Sequence, residues 1–124
     1  MFTILVPDYD DAIAHFVNDL GFCLVEDLAL EGKRWVVVAP SPEASTKVIL
    51  AKATTPEQEA AVGNQLGGRV GFFLYTDDFA GDHARMIAAG VHFREEPRHE
   101  SYGIVAVFED KYGNGWDLIQ PVEG

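Results

Sequence analysis

Apolar positions along the chain alternate between short continuous runs and stretches at helical spacing. In the first half, residues 2–6 predict a strand, and apolar residues recur at helical spacing over residues 12–20, before Gly21. Three further runs predict strands, the first two joined by a tight turn, and they cover residues 22–30, 35–39 and 47–53. The pattern therefore predicts one strand, one helix and three strands.

The second half repeats this order at an offset of about 70 residues. A strand at residues 69–76 precedes a helix that ends at Gly90, and its apolar side is predicted to hold Phe79, Ala84, Ile87 and Ala88. Strands are then predicted at residues 91–98, 104–108 and 116–120.

These elements predict the α+β fold class, built from two βαβββ modules. The best candidate boundary is the glycine-rich segment at residues 63–68, which follows a short helix capped by Thr55. One domain of residues 1–124 is expected, with module one at about 1–53, a connector at about 54–68 and module two at about 69–121.

The amino-acid composition and net charge limit the kinds of molecule that the protein is expected to bind. The formal net charge is −11 at pH 7, and such a surface repels phosphate backbones, so nucleic acid is not expected as a partner. The same charge attracts cationic small molecules or keeps the protein soluble. Cys23 is the single cysteine, which excludes an internal disulfide. No apolar run reaches the roughly 18 residues of a membrane span and no signal segment is visible, so a cytoplasmic protein is expected.

Three motifs carry a resemblance to a known family. Residues 5–13 read Leu-Val-Pro-Asp-Tyr-Asp-Asp-Ala-Ile and are followed by Leu-Gly-Phe at 20–22; Asp-Asp-Phe at 77–79 precedes Ala-Gly-Val at 89–91. Residues 108–118 resemble a closing motif, Phe-x-Asp-x-x-Gly-Asn-x-x-Glu-Leu. Together they resemble the glyoxalase/bleomycin resistance protein/dioxygenase (vicinal oxygen chelate) superfamily. The resemblance implies paired, curved, mixed sheets around a ligand cleft, and a homodimer.

The resemblance also implies where the superfamily's metal ligands would fall. The first-strand positions of the two halves are Met1 and Gly71, and the fourth-strand positions are Ile49 and Asp117. A divalent ion takes three or four protein donors, and only one of these four residues is a carboxylate. The sequence therefore predicts no cofactor. The alternative is a divalent metal (Zn, Ni, Mn or Fe) held by Asp117, with His99 and Glu100 as substitute ligands.

Strand alternation separates a uniformly apolar face from a second face, which also holds the superfamily's ligand positions. This second face predicts a ligand site with aromatic surfaces, one lysine and one aspartate, formed by Trp35, Lys47, Ile49, Phe73, Tyr75 and Asp117. Such a lining suits an aromatic or cationic organic molecule. Asp117 has three open roles: remnant metal ligand, partner of a cation, or solvated strand residue.

Other chemistry-bearing residues are expected to be structural. His15 and His83 are predicted on solvated helix faces. His92 is predicted on a strand and His99 in the turn that follows it, and their separation of seven residues would place them on opposite faces. The charge run at residues 94–100 predicts a solvated hairpin tip, which in this architecture lies near the cleft mouth.

Three functions remain open. The first is a metal-independent protein of the bleomycin-resistance kind that binds a small molecule. The second is a metal-dependent lyase or isomerase similar to lactoylglutathione lyase, or a ring-cleaving dioxygenase. The third is a regulatory or interaction domain without a ligand.

Overall fold

A computed structural model of the protein describes residues 1–122, which form two compact units that meet in sequence between Gln65 and Leu66. Each unit contains one mixed β-sheet, accompanied by α-helical and π-helical segments in the first unit and by one helix in the described part of the second. Within residues 1–122, no helix is long and apolar enough to cross a membrane.

The first unit holds a four-stranded sheet in the order β1-β4-β3-β2, with β1 parallel to β4 and the other pairs antiparallel. Its elements in chain order are β1 (Phe2–Val6), α1 (Tyr9–Ala14), β2 (Cys23–Leu30), β3 (Lys33–Ala39), β4 (Val48–Lys52) and α2 (Pro56–Ala61).

Helix α1 begins at Tyr9, before the first predicted apolar residue, Ala12, and it covers only the first part of the stretch predicted to be helical. Asp8 caps it, because its Oδ2 accepts a hydrogen bond of 2.8 Å from the backbone N–H of Asp11. The helix continues as a π-helical turn, His15–Asp19, and the chain leaves it through Gly21 at φ 80°. Behind α1, the sheet buries Ile4, Val6, Val36, Val38 and Leu50.

The second unit has the same strand order, β5-β9-β8-β6, with β7 also paired to β8 and β5 parallel to β9. Its elements are β5 (Phe72–Tyr75), α3 (Phe79–Ala88), β6 (His92–Phe93), β7 (Arg98–Glu100), β8 (Gly103–Glu109) and β9 (Gly115–Pro121). The α+β class with two mixed sheets is confirmed.

The continuous strand predicted at residues 91–98 is wrong, because the chain leaves β8 after β6 and returns at β7. Pro97 has no N–H to donate to a neighbouring strand. Across the gap, Oε1 of Glu95 accepts a hydrogen bond of 3.3 Å from the backbone N–H of Val107. The Glu95 side chain thus accepts the hydrogen bond that a backbone carbonyl of a neighbouring strand would otherwise accept. Residues 94–97 have no regular secondary structure.

The predicted apolar side of α3 is correct at Phe79 and wrong at Ala84, Ile87 and Ala88, which are exposed. Its buried residues are Phe79 and Met86, whereas Ile87 is 51% exposed. His83, predicted to be solvated, packs its ring between those of Phe79 and Phe93, at centroid distances of 5.4 and 4.5 Å.

His15 is the second histidine that departs from expectation. It is buried in the π-helical turn, and its Nδ1 lies 2.8 Å from Oδ2 of Asp19. His15 is therefore buried and not solvated.

Candidate functional site

The second sheet has one packed face and one open face. On the packed face, the rings of Phe93, Phe108 and Trp116 lie in register and continue to His83 of α3. Alternation along each strand directs the next residues to the opposite side. There Phe73 is 56% exposed and Tyr75 is 67% exposed, while Leu74 between them is buried.

Strand register places two rows of side chains across this open face. The first row contains Phe73, Asp117 and Val107, which are direct neighbours on β5, β9 and β8. The second row is formed in the same way by Tyr75, Ile119, Val105 and Arg98. We call these seven residues the open face; its exposed members are Phe73, Tyr75 and Arg98, whereas Val105 and Ile119 are buried.

Asp117 is the polar centre of the open face. Its Oδ1 is buried and has no hydrogen-bond partner within residues 1–122. Burial raises the pKa of the Asp117 carboxyl above its ordinary value, the charge of Arg98 opposes this rise, and Glu95 adds to it. A carboxylate in this setting is costly to ionise unless a donor or a cation reaches it.

Arg98 is held by other carboxylates. Its Nε donates to both carboxylate oxygens of Glu95 at 2.9 and 3.0 Å, and its Nη1 donates to Oε1 of Glu100 at 3.1 Å. These bonds raise the pKa of the Arg98 guanidinium, so it is a permanent cation. Arg98 therefore acts on Asp117 as a neighbouring charge.

The position of Gly71, just before β5, is covered by the connector. A β-carbon added at Gly71 would overlap Cδ1 of Leu66. Any larger side chain there, including a metal-ligating histidine, would have to displace Leu66. The side chain of Leu66 thus lies where the resemblance implies a ligand.

The residues present do not fit a divalent metal. Within residues 1–122, no group of three or more His, Cys, Asp and Glu side chains is placed to hold an ion. The substitute ligands also fail: His99 pairs with Ile104 and so lies on the face opposite Asp117, and Glu100 is bonded to Arg98. Met1 and Ile49 offer no hard donor. The absence of a cofactor stays a prediction.

The other three predicted site residues belong to the first unit. Register puts Ile49 beside Val37 on the sheet face opposite the one that buries Leu50, and Trp35 shares that face by alternation. Nε1 of Trp35 donates to Oε2 of Glu26 at 2.9 Å. Lys47 is half-buried just before β4, and its carbonyl accepts from the N–H of Phe2 at 3.2 Å.

The six predicted residues thus form two sets of three, one on each sheet. Phe73, Tyr75 and Asp117 are brought together on the open face, and Trp35 and Ile49 share a face of the first sheet. Sequence reasoning missed Arg98, Glu95 and Leu66. Arg98 and Glu95 were assigned to a solvated hairpin tip, because the sequence around the break between β6 and β7 does not show the alternation of a strand.

Comparison with known proteins agrees with this architecture. The model of the Glyoxalase/Bleomycin resistance protein/Dioxygenase superfamily matches residues 1–118. An uncharacterized protein from Shewanella frigidimarina (strain NCIMB 400) is 51% identical over 119 residues, which cover 94% of this chain and 88% of the relative.

Two solved structures are similar over almost their whole length. UcmS2 has a TM-score of 0.82 at 31% identity, covering 95% of this chain and 93% of that one. TnmS3, described as an antibiotic binding protein from Streptomyces sp. CB03234, has a TM-score of 0.77 at 32% identity, covering 98% and 93%. The resemblance carried by the sequence motifs is confirmed, and the chain belongs to the Glyoxalase/Bleomycin resistance protein/Dioxygenase superfamily.

Proposed function

We propose that this protein binds a small organic molecule on the open face of its second sheet, without the superfamily's metal ion. One observation carries the proposal. Asp117 has a buried carboxylate oxygen that lacks a hydrogen-bond partner within residues 1–122, and this residue lies beside the exposed aromatic side chains Phe73 and Tyr75. Few convergent polar groups on an apolar, aromatic surface are typical of small-molecule sites.

The energetics favour a ligand with a flat apolar part. Aromatic side chains bury large areas, and each Å² of apolar surface removed from water contributes about 25 cal/mol. Phe73 and Tyr75 leave most of their surface in water. A ligand placed against them would bury this surface and exclude water from Asp117.

The comparisons support a binding role. TnmS3 is described as an antibiotic binding protein and is 32% identical to this chain. The net charge of −11 favours a ligand that is cationic or neutral over one that is anionic. For the first unit, Trp35, Lys47 and Ile49 stay proposed ligand contacts on their own sheet.

The test is a screen of aromatic compounds by thermal shift on untagged protein. A compound that binds the folded state raises the melting temperature in a concentration-dependent way. We expect the shift to be lost in the double variant Phe73→Ala/Tyr75→Ala. Ile87→Ala is the control, because it removes an exposed apolar side chain from α3, outside the open face. Equal shifts in all three proteins would contradict the proposed site.

Metal content separates this function from the lyase, isomerase and dioxygenase alternatives. We expect less than about one-tenth of an ion per chain by mass spectrometry, with or without soaking in Ni, Zn, Mn or Fe. A stoichiometric ion that is lost in Asp117→Ala would contradict the metal-independent function and direct work to glyoxalase and dioxygenase assays.

The homodimer also belongs to this proposal. Strand β2 is an edge of the first sheet, and its Leu24, Leu28 and Leu30 are exposed. Edge strands of this kind favour pairing with another chain. Light scattering after size exclusion is expected to give twice the chain mass, and the monomer mass would contradict the dimer. A cytoplasmic location likewise stays a proposal.

A further inference from the structure

The unpartnered oxygen of Asp117 restricts the chemistry of the ligand. Nearly all buried polar atoms in native proteins have a hydrogen-bond partner, and an unsatisfied one costs free energy. Within residues 1–122, Oδ1 of Asp117 is the buried side-chain atom that lacks one. An ionised carboxylate can only accept hydrogen bonds, so the missing partner is a donor.

Arg98 shares the open face with Asp117 but does not supply this donor. Its Nε and Nη1 donate to Glu95 and Glu100, and Oδ1 of Asp117 still lacks a partner. Three carboxylates and one guanidinium therefore meet here, which gives a local excess of negative charge. Arg98 acts on Asp117 only through its charge, so the hydrogen-bonding position at Oδ1 is left to a donor from outside the described residues.

The neighbours of Asp117 restrict the shape of the ligand. Phe73 is the direct register partner of Asp117 on β5, and Tyr75 is the next residue on that face. Both rings are largely exposed. A flat aromatic skeleton can lie against them with one edge directed towards the Asp117 side chain.

We propose, on the basis of the function proposed above, that the ligand is a planar aromatic compound with an O–H or N–H group that donates a hydrogen bond to Oδ1 of Asp117. The donor is a neutral hydroxyl or amide, or an ammonium group. These sources share one hydrogen-bond chemistry, and the probes below separate them.

Three probes of one ring system test the proposal. 2-Naphthol carries a neutral donor, 2-naphthylmethylamine carries an ammonium donor, and 2-methoxynaphthalene has no donor. Each is titrated into ¹⁵N-labelled full-length protein, and the amide shifts of β5 and β9 report binding at the open face. We expect at least one donor probe to bind about tenfold more tightly than the methyl ether, since hydrogen bonds to charged groups are the stronger ones.

Variants assign this preference to one atom. In Asp117→Leu the acceptor is gone, and the three probes are expected to bind within about twofold of one another. Asp77→Leu is the control, because it removes an exposed aspartate from the turn after β5, and it should keep the tenfold preference. If Asp117→Leu does not fold, Asp117→Asn takes its place. It removes the charge, so the preference for the ammonium probe over the ether should fall below about threefold.

The outcomes separate the inference from the proposed function. Equal affinity of all three probes in the unmodified protein, with shifts on β5 and β9, would overturn the donor requirement and leave a binding function in place. A preference that survives in Asp117→Leu would overturn the assignment to Asp117. Probes that perturb only residues outside β5 and β9 would overturn the open face as a site, and the inference with it.

Discussion

Two carboxylates on the β8–β9 hairpin are in opposite situations. Asp110, in the turn, is 4% exposed and accepts four hydrogen bonds. Its Oδ1 bonds the backbone N–H groups of Tyr112 and Asn114 at 3.0 Å each, and its Oδ2 bonds Asn114 Nδ2 and Trp116 Nε1 at 2.9 and 3.0 Å. Asp117, on β9, has a buried oxygen with no partner within residues 1–122.

The difference shows which carboxylate serves the fold. The cost of burying Asp110 is offset by donors from its own turn, so its bonds hold the hairpin and position Trp116 against Phe108. The cost of burying Asp117 is not offset in this way. A residue that lowers the stability of the fold at an exposed aromatic surface is typical of a binding site.

Removing Asp110 has the largest expected effect. Asp110→Ala leaves the indole N–H of Trp116 and the side-chain amide of Asn114 without their acceptor, so we expect the free energy of unfolding to fall by about 3–5 kcal/mol. Urea denaturation followed by tryptophan fluorescence measures this loss.

The control for Asp110→Ala is Asp77→Ala, an exposed aspartate of the same unit, which should change stability by less than about 0.5 kcal/mol. A loss below about 1 kcal/mol in Asp110→Ala would show that the turn does not depend on this carboxylate.

Removing Asp117 is expected to have the opposite sign. Asp117→Leu replaces an unpartnered buried acceptor with an apolar side chain, so the free energy of unfolding should rise by about 1–2 kcal/mol. The same urea titration reports the change, and Asp117→Asn should give a smaller gain. A clear loss of stability in both variants would mean that Asp117 is satisfied in solution, and the comparison with Asp110 would fail.

This contrast explains what the sequence could and could not predict. The turn around Asp110 was predictable, because its bonds join residues close in sequence and its motif resembles that of the superfamily. The position of Asp117 on the second face followed from alternation along β9. Its lack of a partner did not, because that depends on where the irregular segment at residues 94–97 places Glu95, which holds Arg98 at the start of β7.

The contact of Leu66 with the position of Gly71 is another feature that could not be predicted from the sequence. Leu66 lies in a glycine-rich connector without periodicity, so no pattern directs its side chain to Gly71. Short-range bonds and strand alternation can be read from sequence, whereas contacts of irregular segments depend on the folded chain.

The effect of pH tests the electrostatic part of the comparison. The pKa of Asp117 is raised, mainly by burial, so between the ordinary aspartate pKa of about 3.9 and this raised value the folded state binds more protons than the unfolded state. Stability contributed by Asp117 therefore falls as pH rises through this window.

The advantage of Asp117→Asn over the unmodified protein should accordingly be larger at neutral pH than at about pH 3.5. Urea midpoints at a series of pH values give the difference. An advantage that shrinks as pH rises would contradict the raised pKa.

The smallest expected effect concerns Gly71 and its cover. Gly71→Ala puts a methyl group where Cδ1 of Leu66 lies, so Leu66 must move and the free energy of unfolding should fall by about 0.5–1 kcal/mol. In a Leu66→Ala background the methyl group meets no obstacle, and alanine restricts the unfolded chain more than glycine does. The same substitution should then raise stability by about 0.5 kcal/mol. A double-mutant cycle measured by urea denaturation detects this reversal of sign as coupling between the two residues. Additive effects would show that Leu66 leaves Gly71 open in solution, and a ligand could then reach the open face as far as the start of β5.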